Sequence, residues 1–65
     1  MKIEVGMRFK MIKTNNELIN TKVGNIVEVV KTNEVGSEMK DILTHDWFYI
    51  ENDEISQFMK RVNKK

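Results

Sequence analysis

The stretch Asp46-Trp47-Phe48-Tyr49-Ile50-Glu51-Asn52-Asp53-Glu54-Ile55 constrains the fold more than any other part of this chain. Aromatic and β-branched residues in an unbroken row favour a pleated, half-buried strand. The polar, acidic run that follows at once ends that strand in a tight turn. Successive side chains alternate across a sheet, so Trp47 and Tyr49 share one face while Phe48 and Ile50 share the other. Phe48 with Ile50 is the better core pair, because neither has a polar atom to satisfy. Trp47 and Tyr49 are then left partly exposed.

Earlier runs have the same character. After Val5-Gly6, the apolar residues Met7, Phe9 and Met11 alternate with Arg8, Lys10 and, less cleanly, Ile12. Period-two alternation with one charged face marks a half-buried strand. From Lys13 to Lys22 the pattern dissolves, and only Leu18 and Ile19 are apolar. This segment reads as a loop that tucks Leu18 or Ile19 against the core. Val23-Gly24-Asn25 is a turn signal, since Gly and Asn tolerate positive φ at little cost. The β-branched run Ile26-Val27-Glu28-Val29-Val30-Lys31 is the clearest strand of all. Asn33 to Ser37 reads as a second turn, Met39 to Thr44 as a third strand, and His45-Asp46 as a tight connection into the fourth, Trp47 to Glu51. Short strands separated by short turns point to a small barrel or sandwich.

The tail supports two readings. Ile55, Phe58, Met59 and Val62 fall at helical spacing. Asn52 is placed to cap such a helix, Asp53 and Glu54 sit in its first turn, and Lys60, Arg61, Lys64 and Lys65 crowd its end, which suits the helix dipole. That gives a four-stranded sheet with a C-terminal amphipathic helix. The other reading makes Phe58 to Val62 a closing strand after a single helical turn. Topology favours the strand, because an open four-stranded sheet presents unpaired edges.

Size limits what such a chain does. Its 65 residues make one domain, residues 1–65. A chain this short buries only about 60% of the surface its unfolded form exposes. With no Cys and one His, neither a disulfide nor a structural zinc site is available as a staple. A deep catalytic pocket would consume much of so small a core, so the chain is expected to be non-enzymatic and to carry no cofactor or metal. No apolar run approaches the length needed to span a membrane, and Met1-Lys2-Ile3-Glu4-Val5 lacks the apolar region of a signal peptide. The expected location is the cytoplasm. Nine Lys against two Arg, together with abundant Asn and no Pro, fits an AT-rich coding genome.

The order "VGMRFKMIK", polar loop, "KVGNIVEVVKT", turn, "MKDILTHDWFYIENDEIS" resembles the small SH3-like barrels carried by Gram-positive bacteria and their phages. The similarity spans roughly residues 4–62, and its motifs encode turns and core positions rather than chemistry. It implies an all-β, five-stranded SH3-like barrel in which Asn52 to Ile55 is a one-turn helix and Ser56 to Arg61 the closing strand. The longer, more basic Phe58-Met59-Lys60-Arg61 departs from the pattern. Barrels of the ribosomal and transcription KOW type share the architecture, but their RNA-contacting Gly-rich loop is absent from this sequence. The fold does not fix a role.

Function is sought in surface residues. Trp47 and Tyr49, flanked by Asp46 and Glu51, make the leading candidate for a partner-binding surface. An exposed aromatic pair builds hot spots, and acidic neighbours suit a protein better than a phosphate backbone. The leading expectation is therefore a protein-binding module, a phage-type accessory or inhibitor protein acting on a host protein. The alternative is a nucleic-acid-binding barrel that uses Arg8 and Lys10 of the first strand with Lys60 and Arg61 of the tail. A homo-oligomer is a third reading, motivated by charge blocks. Residues 1–24 carry five basic and two acidic groups, residues 25–59 two basic and eight acidic, and residues 60–65 four basic. The acidic residues Glu28, Glu34, Glu38, Asp41, Asp46, Glu51, Asp53 and Glu54 are read mainly as a solvated face and turn chemistry. Asn52-Asp53-Glu54 lacks the spacing of a calcium loop. His45 reads as a turn residue, since no Ser sits in a catalytic signature beside it.

Overall fold

The computed structural model describes residues 2–14 and 21–62. Five strands form one antiparallel sheet: β1 (Arg8–Met11), β2 (Ile26–Thr32), β3 (Gly36–Asp41), β4 (Trp47–Glu51) and β5 (Met59–Arg61). Their order is β4-β3-β2-β1-β5, a four-strand meander whose last element returns beside β1. A 3₁₀ turn (Asn52–Glu54) and one α-helical turn, α1 (Ile55–Phe58), connect β4 to β5. The described residues are all-β with five strands, as the resemblance implied. The expected closed barrel is not formed. Among the described residues β4 pairs only with β3 and β5 only with β1, so both remain edges.

A single core draws on every strand. Phe9 and Met11 of β1, Val27 and Val29 of β2, Met39 of β3, Ile50 of β4, Ile55 and Phe58 of α1, and Met59 of β5 are buried together. Ile3, Met7 and Phe48 pack against them. The sheet thus curls round one core without closing. Three of these residues, Phe9, Met11 and Met59, are Met or Phe from strands of only three or four residues, where long side chains fill space that short strands leave.

The longest strand, β2, carries a bulge. Val29 pairs with Met39, but the next pair is Lys31 with Glu38, so Val30 is the extra residue. Without it, strict alternation after the buried Val29 would turn Lys31 into the core and Thr32 to solvent. The bulge reverses that. The Thr32 and Ser37 hydroxyls come to 2.7 Å, and Ser37 donates to Asn52 Oδ1 at 2.6 Å. Asn52 Nδ2 in turn donates to the Asn33 carbonyl at 2.7 Å. The β2–β3 turn is thereby tied to the start of the 3₁₀ turn. Contrary to the capping role read from the sequence, Asn52 does not cap the helical segment; the preceding Glu51 holds that position and makes no capping bond.

The third strand lies three residues earlier than the sequence suggested, at Gly36–Asp41 rather than Met39 to Thr44. Asn33 explains the early start. Its Oδ1 accepts from the Val35 and Gly36 amides at 2.8 and 3.0 Å, which completes the turn and frees Gly36 to pair. Asp41 explains the early end, since its Oδ1 accepts from the Leu43 and Thr44 amides at 2.8 and 3.2 Å and turns the chain. His45 closes this turn with φ 68°.

The tail combines its two readings. Seven residues are helical, longer than the one-turn helix that the resemblance implied, and Met59 then becomes extended at φ −150°, ψ 163°. A helix continuing through Val62 is not formed. Leu18 and Ile19, expected to tuck against the core, lie outside the described residues, as do Lys64 and Lys65.

Candidate functional site: the β4 edge and its outward face

β4 presents Trp47, Tyr49 and Glu51 outward and Phe48 and Ile50 inward. Ile50 is buried and Phe48 half-buried against the core, whereas Trp47 is 58% and Tyr49 51% exposed. On the outward face Trp47 lies opposite Lys40, Tyr49 opposite Glu38, and Glu51 opposite Gly36. Such cross-strand neighbours are within contact range.

The two aromatics differ in their support. A Cβ built on Gly36 would come within 2.0 Å of the Tyr49 hydroxyl and 2.2 Å of its ring. The Tyr49 ring therefore lies over the glycine, in space that any side chain at that position would fill. Trp47 lies opposite Lys40 rather than over a glycine. The β3–β4 turn that precedes Trp47 carries Ile42 and Leu43, the latter 72% exposed. Ile42 meets β2 through a 3.0 Å bond from its amide to the Ile26 carbonyl. Trp47, Ile42 and Leu43 are exposed apolar residues in and beside this turn.

Asp46 and Glu51 bracket β4, and both are exposed. Asp46 is held in the turn, where Thr44 Oγ1 donates to its Oδ2 at 3.2 Å. Its carbonyl accepts from the Asp41 amide at 2.8 Å. At the far end of the same strand the Asn52 amide donates to the Val35 carbonyl at 2.9 Å. These two bonds fix which residues face β3. Hydrogen-bonded and non-bonded pairs alternate along an antiparallel ladder. Phe48 and Ile50 therefore bond to β3, while the amides and carbonyls of Trp47, Tyr49 and Glu51 point to the open side. Among the described residues they have no backbone partner beyond β4.

The basic candidates are brought near one another but not into one patch. Lys10 and Lys60 are directly opposite on β1 and β5. Arg8 is engaged by Glu28, with Nε and Nη2 both 3.1 Å from Oε1. Arg61 pairs with the buried Phe9, which puts it on the opposite face from Lys10 and Lys60.

Asp41 departs from the solvated role assigned to the acidic residues. It is fully buried. Thr21 Oγ1 donates to its Oδ2, Asn25 Nδ2 donates to the same oxygen at 2.9 Å, and the Leu43 and Thr44 amides hold the other. Burial alone pushes this carboxyl up, but these four hydrogen bonds to the charged form together outweigh it and hold the group below the usual carboxylate value. Asp41 thus ties the end of the β1–β2 connection to the β3–β4 turn. Its role was not legible locally, because Thr21 and Asn25 lie 20 and 16 residues away.

A shallow cleft of about 400 Å³ lies between Ile3 and the helical segment, lined also by Asn52, Asp53 and Ser56. No group of three or more metal-ligating side chains occurs among the described residues. Within the same residues no helix is long and apolar enough to cross a membrane.

Comparisons with protein-family models, curated protein sequences and solved structures found no match.

Proposed function

We propose that this chain is a non-enzymatic protein-binding module, of the kind used as phage accessory or inhibitor proteins, that engages its partner through Trp47 and Tyr49. One observation carries the reading. The two largest exposed side chains of the sheet stand on one face of an edge strand whose other face packs on the core. Large aromatic surface left open in so small a protein is costly unless it is used. Asp46 and Glu51 give this edge a negative bias that suits a polypeptide rather than a phosphate backbone.

The test replaces Trp47 and Tyr49 with Ala together and measures affinity capture from a host lysate beside circular dichroism. The expected outcome is loss of the captured partner with the spectrum retained. Loss of the folded spectrum would instead make the pair structural and overturn the reading. The nucleic-acid alternative rests on the Lys10–Lys60 pair and on Lys40 beside Trp47. Binding of labelled DNA or RNA that survives physiological salt, seen by anisotropy, would replace the protein reading with that one.

A further inference from the structure

From the register of β3 with β4 we infer that the β4 edge is a strand-addition site for an extended basic peptide, which would pair with Trp47, Tyr49 and Glu51 as a sixth strand. The inference rests on the protein-binding reading and specifies how the partner is held. Three features converge on it. The backbone groups of Trp47, Tyr49 and Glu51 point away from β3 and offer a spaced row of donors and acceptors. The same three residues carry the exposed outward side chains, so an added strand would meet main chain and side chains together. This is the arrangement by which sheet edges bind peptides: the ladder supplies affinity and alternate side chains supply selectivity.

The charges of the edge choose the occupant. Asp46 and Glu51 flank β4 and the exposed Asp53 follows it, while the strand itself has no basic residue. Basic side chains on the outward face of the added strand would meet Glu51 and the faces of Trp47 and Tyr49, where cations are attracted to aromatic rings. On the inward face a β-branched residue would cover the open flank of the half-buried Phe48. A second copy is a poorer occupant. Antiparallel pairing of two β4 strands about Tyr49 would set Glu51 of each copy beside Trp47 of the other and bring the acidic flanks together.

The decisive probe is a blocked eight-residue peptide alternating Lys with Val, titrated while the emission of Trp47, the sole Trp, is followed. Two controls accompany it: the same peptide N-methylated at every second residue, and a peptide alternating Glu with Val. The expected result is saturable binding at least tenfold tighter for the Lys-Val peptide than for either control, with the Trp47, Tyr49 and Glu51 amides becoming protected from hydrogen exchange. Equal binding of the N-methylated peptide would overturn strand addition while leaving a side-chain-mediated protein surface intact. No binding of the basic peptide, or protection of those amides that grows with protein concentration alone, would overturn the assignment of a basic peptide. If the Trp47 and Tyr49 alanine pair still captures its partner, the underlying reading fails instead.

Discussion

Two residues with no conventional signature, Asp41 and Gly36, do much of the local positioning. Asp41 is a buried carboxylate whose native interactions favour the charged form. Its folded pKa is lower than its unfolded one, so its contribution is complete above the unfolded value. It is lost as pH falls through the folded value. Urea denaturation between pH 2 and 7 is expected to show stability declining below about pH 4, the unfolded carboxylate range. Asp41→Asn should be less stable at pH 7 by about 1–3 kcal/mol, the cost of disturbing a buried hydrogen-bonded group. The difference from the wild type should shrink toward pH 2. An unchanged gap across that range would contradict the role given to the charge. Gly36 is tested by a double-mutant cycle with Tyr49. Gly36→Ala should displace the Tyr49 ring, and thermal melts should show its penalty largely removed in a Tyr49→Ala background, because the nearest atoms to the added methyl all belong to that side chain.

At the scale of elements, much of the strand content was legible. The run Ile26 to Lys31 lies within β2, and Trp47 to Glu51 is β4 as read, because density of β-branched and aromatic residues marks both. The shift of β3 was not legible. Gly36 and Ser37 look like turn residues, but Asn33 completes the turn before them, the Tyr49 ring covers one, and Thr32 and Asn52 satisfy the other. The exposure of Trp47 and Tyr49 followed from alternation together with the lack of polar atoms in Phe48 and Ile50. Which backbone groups of β4 are free did not, since that depends on pairing register rather than on any residue type. The β1–β5 pairing shows a similar limit. Two basic segments were visible in the sequence, but their register sets Lys10 against Lys60 and turns Arg61 to the other face. Like charges directly opposite destabilise a sheet, so Lys60→Glu is expected to raise stability by about 0.2–1 kcal/mol in denaturant titrations at low salt. Less of that gain should remain at 1 M salt. A loss of stability would mean the two side chains do not face each other.

At the scale of the molecule, the absence of a disulfide leaves a small core and five short strands to carry the fold. Stability of roughly 0.05–0.15 kcal/mol per residue is the ordinary range for such domains, and it leaves little margin for an edge without use. Exposed edges invite pairing with other chains. The edge of β5 spans three residues and carries Lys60 and Arg61, which blunt it. The edge of β4 is longer, bears two aromatics, and is flanked by acids instead. The asymmetry between the edges is the molecular basis for assigning the partner surface to β4.

Hydrogen exchange of the β4 amides in the free protein at low concentration, resolved residue by residue by NMR, tests that basis most directly. The expected pattern alternates, with Phe48 and Ile50 protected by β3 and Trp47, Tyr49 and Glu51 exchanging fast. Uniform protection would show the edge already covered, and uniform fast exchange would show that β4 is not paired in this register; either result would contradict the account.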